Sequence, residues 1–105
     1  MTNVKNTDKI YSIEELKAQL EPIFKKFQVR HAAVFGSYAR GESVAGCDVD
    51  LMVKTHETFD LDKYYAFEEE MAKALGVKVD VTFEDYINPF MKETILMEAV
   101  NLYED

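Results

Sequence analysis

Apolar positions along this chain switch between two spacings, one near 3.6 residues and one of two, and the switches outline its elements. Ile13, Leu16, Leu20, Ile23, Phe24 and Phe27 recur at helical spacing and form one apolar stripe, which reads as core packing. Ser12 with Glu15 three positions later is a capping-box pattern that opens this helix. Pro22 lies inside the stripe and removes a backbone donor there, so the helix is expected to kink or divide. Residues 1–11 read as a polar lead-in.

A short apolar run, His31 to Phe35, predicts the first strand, and Ser37 to about Gly41 predicts one or two helical turns. Glu42 to Cys47 reads as a loop. Asp48 to Lys54 predicts a second strand, with Val49, Leu51 and Val53 on one face and Asp48, Asp50 and Met52 on the other. Asp60 can cap a helix bearing Leu61, Tyr64, Tyr65, Met71, Ala72 and Leu75, stopped by Gly76. Val77 to Phe83 alternates cleanly, with Lys78, Asp80 and Thr82 opposite the apolar face. Asn88-Pro89 starts a last helix with Phe90, Met91, Ile95 and Val100 among its apolar positions. Leu102 and Tyr103 then form a short strand or a packed tail. Helical and strand patterns mixed in this way predict an α/β chain, a small mixed sheet with helices packed on one face.

Composition narrows the class. A chain of 105 residues has room for one core, so 1–105 is read as a single domain. Twenty acidic against twelve basic residues give a net charge of -8, which disfavours direct binding to a nucleic-acid backbone. No apolar run approaches the ~18 residues of a membrane span, and the amino-terminal residues are polar, unlike a signal peptide. Cys47 is the one cysteine, which excludes an internal disulfide and fits a reducing cytoplasm.

The chemistry gathers in one stretch. Gly36-Ser37 breaks the first apolar run, ten residues follow, and the next run carries Asp48 and Asp50. Carboxylates at i and i+2 of a strand point the same way, an arrangement that chains avoid unless a cation lies between them. A Gly-Ser turn ahead of a helical segment offers backbone N–H groups to a phosphate. A divalent cation beside a phosphate cradle is the apparatus of phosphoryl or nucleotidyl transfer. If the apolar faces of the second and third strands pack on the same helices, Asp80 emerges beside Asp48 and Asp50. The blander readings are a solvated strand for the acids and a simple turn for Gly36-Ser37. Cys47 reads as a small packing residue, and neither His31 nor His56 has metal-ligand spacing.

Gly36-Ser37 followed by Asp48-Val49-Asp50 resembles the signature of the nucleotidyltransferase superfamily that includes DNA polymerase β. The longer runs GSYARGE, DVDLMV and VDVTF, with the tail NPFMKETILMEAVNLYED, resemble its minimal nucleotidyltransferase branch, over roughly residues 12 to 104. The best-known members of that branch are the MntA-type antitoxins encoded beside HEPN toxins. One departure is Cys47, where the family usually has Ser before the first Asp.

The resemblance implies the polymerase β-like fold and a set of roles. Asp48 and Asp50 would hold magnesium ions that grip the triphosphate of ATP. Asp80 would bind a second, catalytic ion and help deprotonate the acceptor hydroxyl. Gly36 and Ser37 would hold the β- and γ-phosphates, Arg40 would steady a phosphate or the partner, and Glu42 is a weaker candidate. Larger relatives carry an added helical domain. A chain that ends before one is expected to work with another subunit as a hetero-oligomer. The implied activity is transfer of AMP from ATP to a hydroxyl, Tyr being expected, of a HEPN-type ribonuclease toxin. Two alternatives remain: a small-molecule hydroxyl as acceptor, as in aminoglycoside-type enzymes, or an antitoxin that neutralises by binding alone.

Overall fold

The computed structural model describes residues 11–41 and 48–104. In chain order these form α1 (Ile13–Lys26), β1 (Val29–Phe35), α2 (Ser37–Arg40), β2 (Val49–Thr55), α3 (Leu61–Leu75), β3 (Val79–Phe83), α4 (Pro89–Glu98) and β4 (Val100–Glu104). A 3-10 turn, Glu84–Tyr86, separates β3 from α4. The sheet order is β3-β2-β1-β4. β1 runs antiparallel to both β2 and β4, whereas β2 and β3, joined through α3, run parallel. The sheet is therefore mixed, as expected.

Local chemistry sets the helix ends. Ser12 Oγ accepts from Glu15 N at 3.1 Å, and Glu15 Oε1 accepts from Ser12 N at 2.9 Å, completing the capping box of α1. Asp60 caps α3 by accepting from Lys63 N at 2.8 Å. Gly76 ends that helix in the left-handed region, at φ 74°. Asn88 accepts from Phe90 N at 2.9 Å, and Pro89 fills the first turn of α4.

Leu16, Leu20 and Phe24 of α1 and Phe67, Met71 and Leu75 of α3 are fully buried, against Ala32, Val34, Val49, Leu51 and Val53 of the sheet. Each large side chain so buried contributes roughly 1.5–3 kcal/mol of hydrophobic stabilisation. Aromatic rings continue the layer: Phe67 sits 5.1 Å from Phe27 and 5.5 Å, edge-on, from Phe59.

Several expectations need correction. Pro22 does not divide α1, which runs unbroken. Pro22 and Ala18 are both exposed, so the carbonyl that loses its donor faces water. Tyr11 is no part of a polar lead-in: it is buried, and its hydroxyl donates to the Leu75 carbonyl at 2.5 Å. Residues 1–10 of that lead-in lie outside the described residues, as does the loop expected at Glu42 to Cys47. On α3, Leu61 and Tyr65 are largely exposed, while Phe67, which the stripe omitted, is core. Val77 and Lys78 precede β3, and Val100 belongs to β4 because its backbone pairs with Val34. Asp48 likewise precedes β2 instead of opening it. The last strand does form.

α4 differs from α1 and α3. It packs against β1, yet none of its residues is buried; Phe90, Met91 and Met97 stand largely in solvent and Leu96 is nearly half exposed.

Candidate active site

The site forms where β1 ends and β2 begins. β1 leaves the sheet at Phe35, whose cross-strand partner is Asp50. The chain then turns at Gly36, with φ 74°, directly into α2. A Cβ added to Gly36 would lie 2.7 Å from Asp50 Oδ2, so both the backbone conformation and the space demand glycine. Ser37 follows as the first residue of α2, and Arg40, its last, donates its backbone N–H to the Gly36 carbonyl at 3.1 Å.

Parallel pairing of β2 with β3 brings in the third acid. Asp50 and Asp80 are register partners, flanked by Val49 with Val79 and Leu51 with Val81. Neighbouring strands lie about 4.8 Å apart, so the two carboxylates rise side by side from the same face. Asp48, exposed, sits two residues before Asp50 at the mouth of β2. Val49 N donates to the Lys78 carbonyl at 3.0 Å, tying the starts of the two strands together. The expected trio is therefore brought to one end of one sheet face. Glu42 and Cys47 lie outside the described residues.

The electrostatics follow from this crowding. Burial, and then the charges of Asp80 and Asp48, raise the Asp50 carboxyl above its ordinary value of 3.8. Arg40 and Lys78 pull it partly back. Lys78 Nζ also approaches Asp80 Oδ1 at 3.6 Å. Sequence reasoning assigned Lys78 no part in the site, although the alternation that selected Asp80 puts Lys78 on the same side. Arg40 Nη1 donates to Glu98 Oε1 at 3.0 Å, a pairing that no local spacing foretells.

A second network braces the outer edge of β3. Glu68 on α3 accepts from Val81 N at 3.3 Å and from the Tyr64 hydroxyl at 3.0 Å. It satisfies an edge-strand donor one residue from Asp80. Tyr64 is pushed up to about 12, by burial first and then by its hydrogen bond to Glu68.

The donor set suits a hard divalent cation: three carboxylates, one of them pressed toward protonation by its neighbours. Among the described residues no three acidic, His or Cys side chains close into a finished cage. Magnesium does not require one, because it characteristically takes one or two carboxylates and completes its shell with substrate phosphates and water.

The polymerase beta nucleotidyltransferase family model matches residues 18–105, which includes every element of the site. The chain belongs to this family. It is 37% identical over 91 residues to a protein of Methanocaldococcus jannaschii named as a candidate protein adenylyltransferase, covering 87% of this chain and 98% of that one. It is 35% identical over 85 residues to the protein adenylyltransferase MntA of Thermococcus cleftensis, covering 81% of this chain and 86% of that one. Among solved structures, the complex of a tri-AMPylated Shewanella oneidensis HEPN toxin with its MNT antitoxin shares the fold. The TM-score is 0.69 at 16% identity, over 89% of this chain and 73% of that one. The minimal nucleotidyltransferase resemblance and the nucleotidyltransferase fold are thereby borne out.

Proposed function

We propose that this nucleotidyltransferase is a magnesium-dependent antitoxin that transfers AMP from ATP to a hydroxyl, expected to be a Tyr, of a HEPN-type ribonuclease toxin. The observation that carries the reading is the in-register pair Asp50 and Asp80, set against the obligatory glycine of the Gly36-Ser37 turn. Asp48, Asp50 and Asp80 would hold two magnesium ions. Bound there, the ions would neutralise the triphosphate and stabilise both the attacking and the departing oxygens of an in-line displacement. The chain's own residues do the rest. Gly36 lets the backbone of the turn approach the β- and γ-phosphates, Ser37 adds its hydroxyl, and Arg40 brings a fixed positive charge to the rim. Asp80, on the edge strand, would receive the acceptor proton.

Three features support a protein acceptor. The acids stand half-buried to exposed at one end of the sheet, apart from the hollow of about 210 Å³ at the other end of β2, around Thr55, His56 and Phe83. Exposed apolar side chains on α4, with Phe90 at 91% and Met97 at 81% of full exposure, are what a macromolecular partner covers. The net charge of -8 suits docking on a basic ribonuclease. No helix among the described residues is long and apolar enough to cross a membrane. We place the complex in the cytoplasm, where a single cysteine remains reduced.

Co-expression with the protein encoded beside this chain, expected to be a HEPN-type ribonuclease, tests the reading. Wild-type protein is expected to restore growth, and Asp50→Asn to fail while still co-purifying with its partner. Full neutralisation by Asp50→Asn would favour inhibition by binding alone.

A further inference from the structure

We propose that Glu98 is a positioning residue for nucleotide binding: it holds the Arg40 guanidinium at the rim of the site, away from the carboxylates that take the metal. The inference rests on the nucleotide-binding reading above and extends it to a residue 58 positions from Arg40 in sequence.

Topology delivers Glu98 to this spot. Val100 of β4 pairs with Val34 of β1, and β1 ends at Phe35, just before the Gly36 turn. The end of α4, two residues before Val100, must therefore lie near α2. There Arg40 Nη1 and Glu98 Oε1 meet at 3.0 Å, both side chains a little over one-third to one-half exposed.

Glu98 is badly placed for its own helix. It is the last residue of α4, where the helix dipole presents negative charge, and that last turn holds no basic residue. A carboxylate at that end costs helix stability, so its favourable interaction must come from elsewhere, and Arg40 supplies it. Arg40 also needs the pairing. Its charge already acts on Asp50, and the three carboxylates offer the strongest nearby field for a cation. A guanidinium drawn onto them would occupy the oxygens that magnesium requires. Anchoring by Glu98 in a charge-assisted bond keeps the planar fork at the edge, where a phosphate would approach.

Calorimetric titration of the full chain with a non-hydrolysable ATP analogue and magnesium tests this without any acceptor protein. Glu98→Gln should weaken binding ~3- to 10-fold, the scale of a partly exposed charged pair. Glu98→Asp, which keeps the charge, should recover part of the loss. Arg40→Ala should weaken binding at least as much, and adding Glu98→Gln to Arg40→Ala should cost nothing further. Unchanged or tighter binding by Glu98→Gln would overturn the proposal, as would an equal loss in both backgrounds, which marks a merely structural effect. If the wild-type chain binds no magnesium nucleotide, the proposed function fails and takes this inference with it. Tight wild-type binding with an indifferent Glu98→Gln sinks this inference alone.

Discussion

Gly36 lies so close to Asp50 that a Cβ on it would stand 2.7 Å from the carboxylate Oδ2. The Gly36 turn and the Asp50 carboxylate are therefore one construction: β1 pairs with β2 so that Phe35 opposes Asp50, and the next residue must turn past that carboxylate. Gly36→Ala combines a strained φ of 74° with a clash, and is expected to destabilise the fold by roughly 1–3 kcal/mol. Urea unfolding checks the stability loss. A parallel nucleotide titration should show weakened binding, because relief of the clash moves Asp50.

Asp50→Asn should separate stability from activity. The carboxylate is partly buried between Asp80 and Asp48, so neutralising it relieves like-charge repulsion. A gain on the order of 0.5 kcal/mol is expected, kept small by solvent screening. Transfer activity should fall ~100-fold or more, since the metal would lose a charged ligand. Thermal unfolding with and without magnesium is the check: magnesium should raise the midpoint of the wild type and leave the variant nearly unmoved.

The acid limb of stability follows from the same carboxyl. Its folded-state pKa is raised above 3.8, so the protonated form is favoured in the fold. The stability it contributes is fully present below 3.8 and is lost as pH climbs through the higher folded value. In metal-free protein, the stability advantage of Asp50→Asn over wild type should grow across that window and then level off. Denaturant titrations across the acid range measure it; a constant difference would contradict the placement of Asp50.

These acids were legible in the sequence because period two is unforgiving. With Val49, Leu51 and Val53 committed to the core, Asp50 had to face outward, and Val79 and Val81 did the same for Asp80. That the two would be direct register partners depends on the parallel pairing of β2 with β3, which local pattern does not encode. Non-local contacts were equally out of reach. Tyr11 reaches Leu75 across 64 residues, so its core role left no trace in the polar segment before it. The Arg40–Glu98 pair depends on β4 closing against β1. Pro22 misled because helix propensity arguments ignore which side of the helix meets water.

Tyr64 offers a test of the brace behind Asp80. Its phenol titrates near 12 instead of 10.0, because burial and the bond to Glu68 favour the neutral form. That contribution is present below 10.0 and is lost as pH rises through about 12. Tyr64→Phe leaves Glu68 holding Val81 N alone and should cost ~1 kcal/mol at neutral pH. Ultraviolet titration of wild type and variant should show the phenol titrating at about 12 disappear.

If Asp48, Asp50 and Asp80 carry AMP transfer to a partner protein, that partner gains mass. Intact-mass spectrometry of the protein encoded next to this one, incubated with this chain, ATP and magnesium, decides the matter. Mass gains in whole AMP units are expected, absent when Asp48→Asn and Asp50→Asn are combined. An unmodified partner held in a stable complex with the wild-type chain would contradict such transfer.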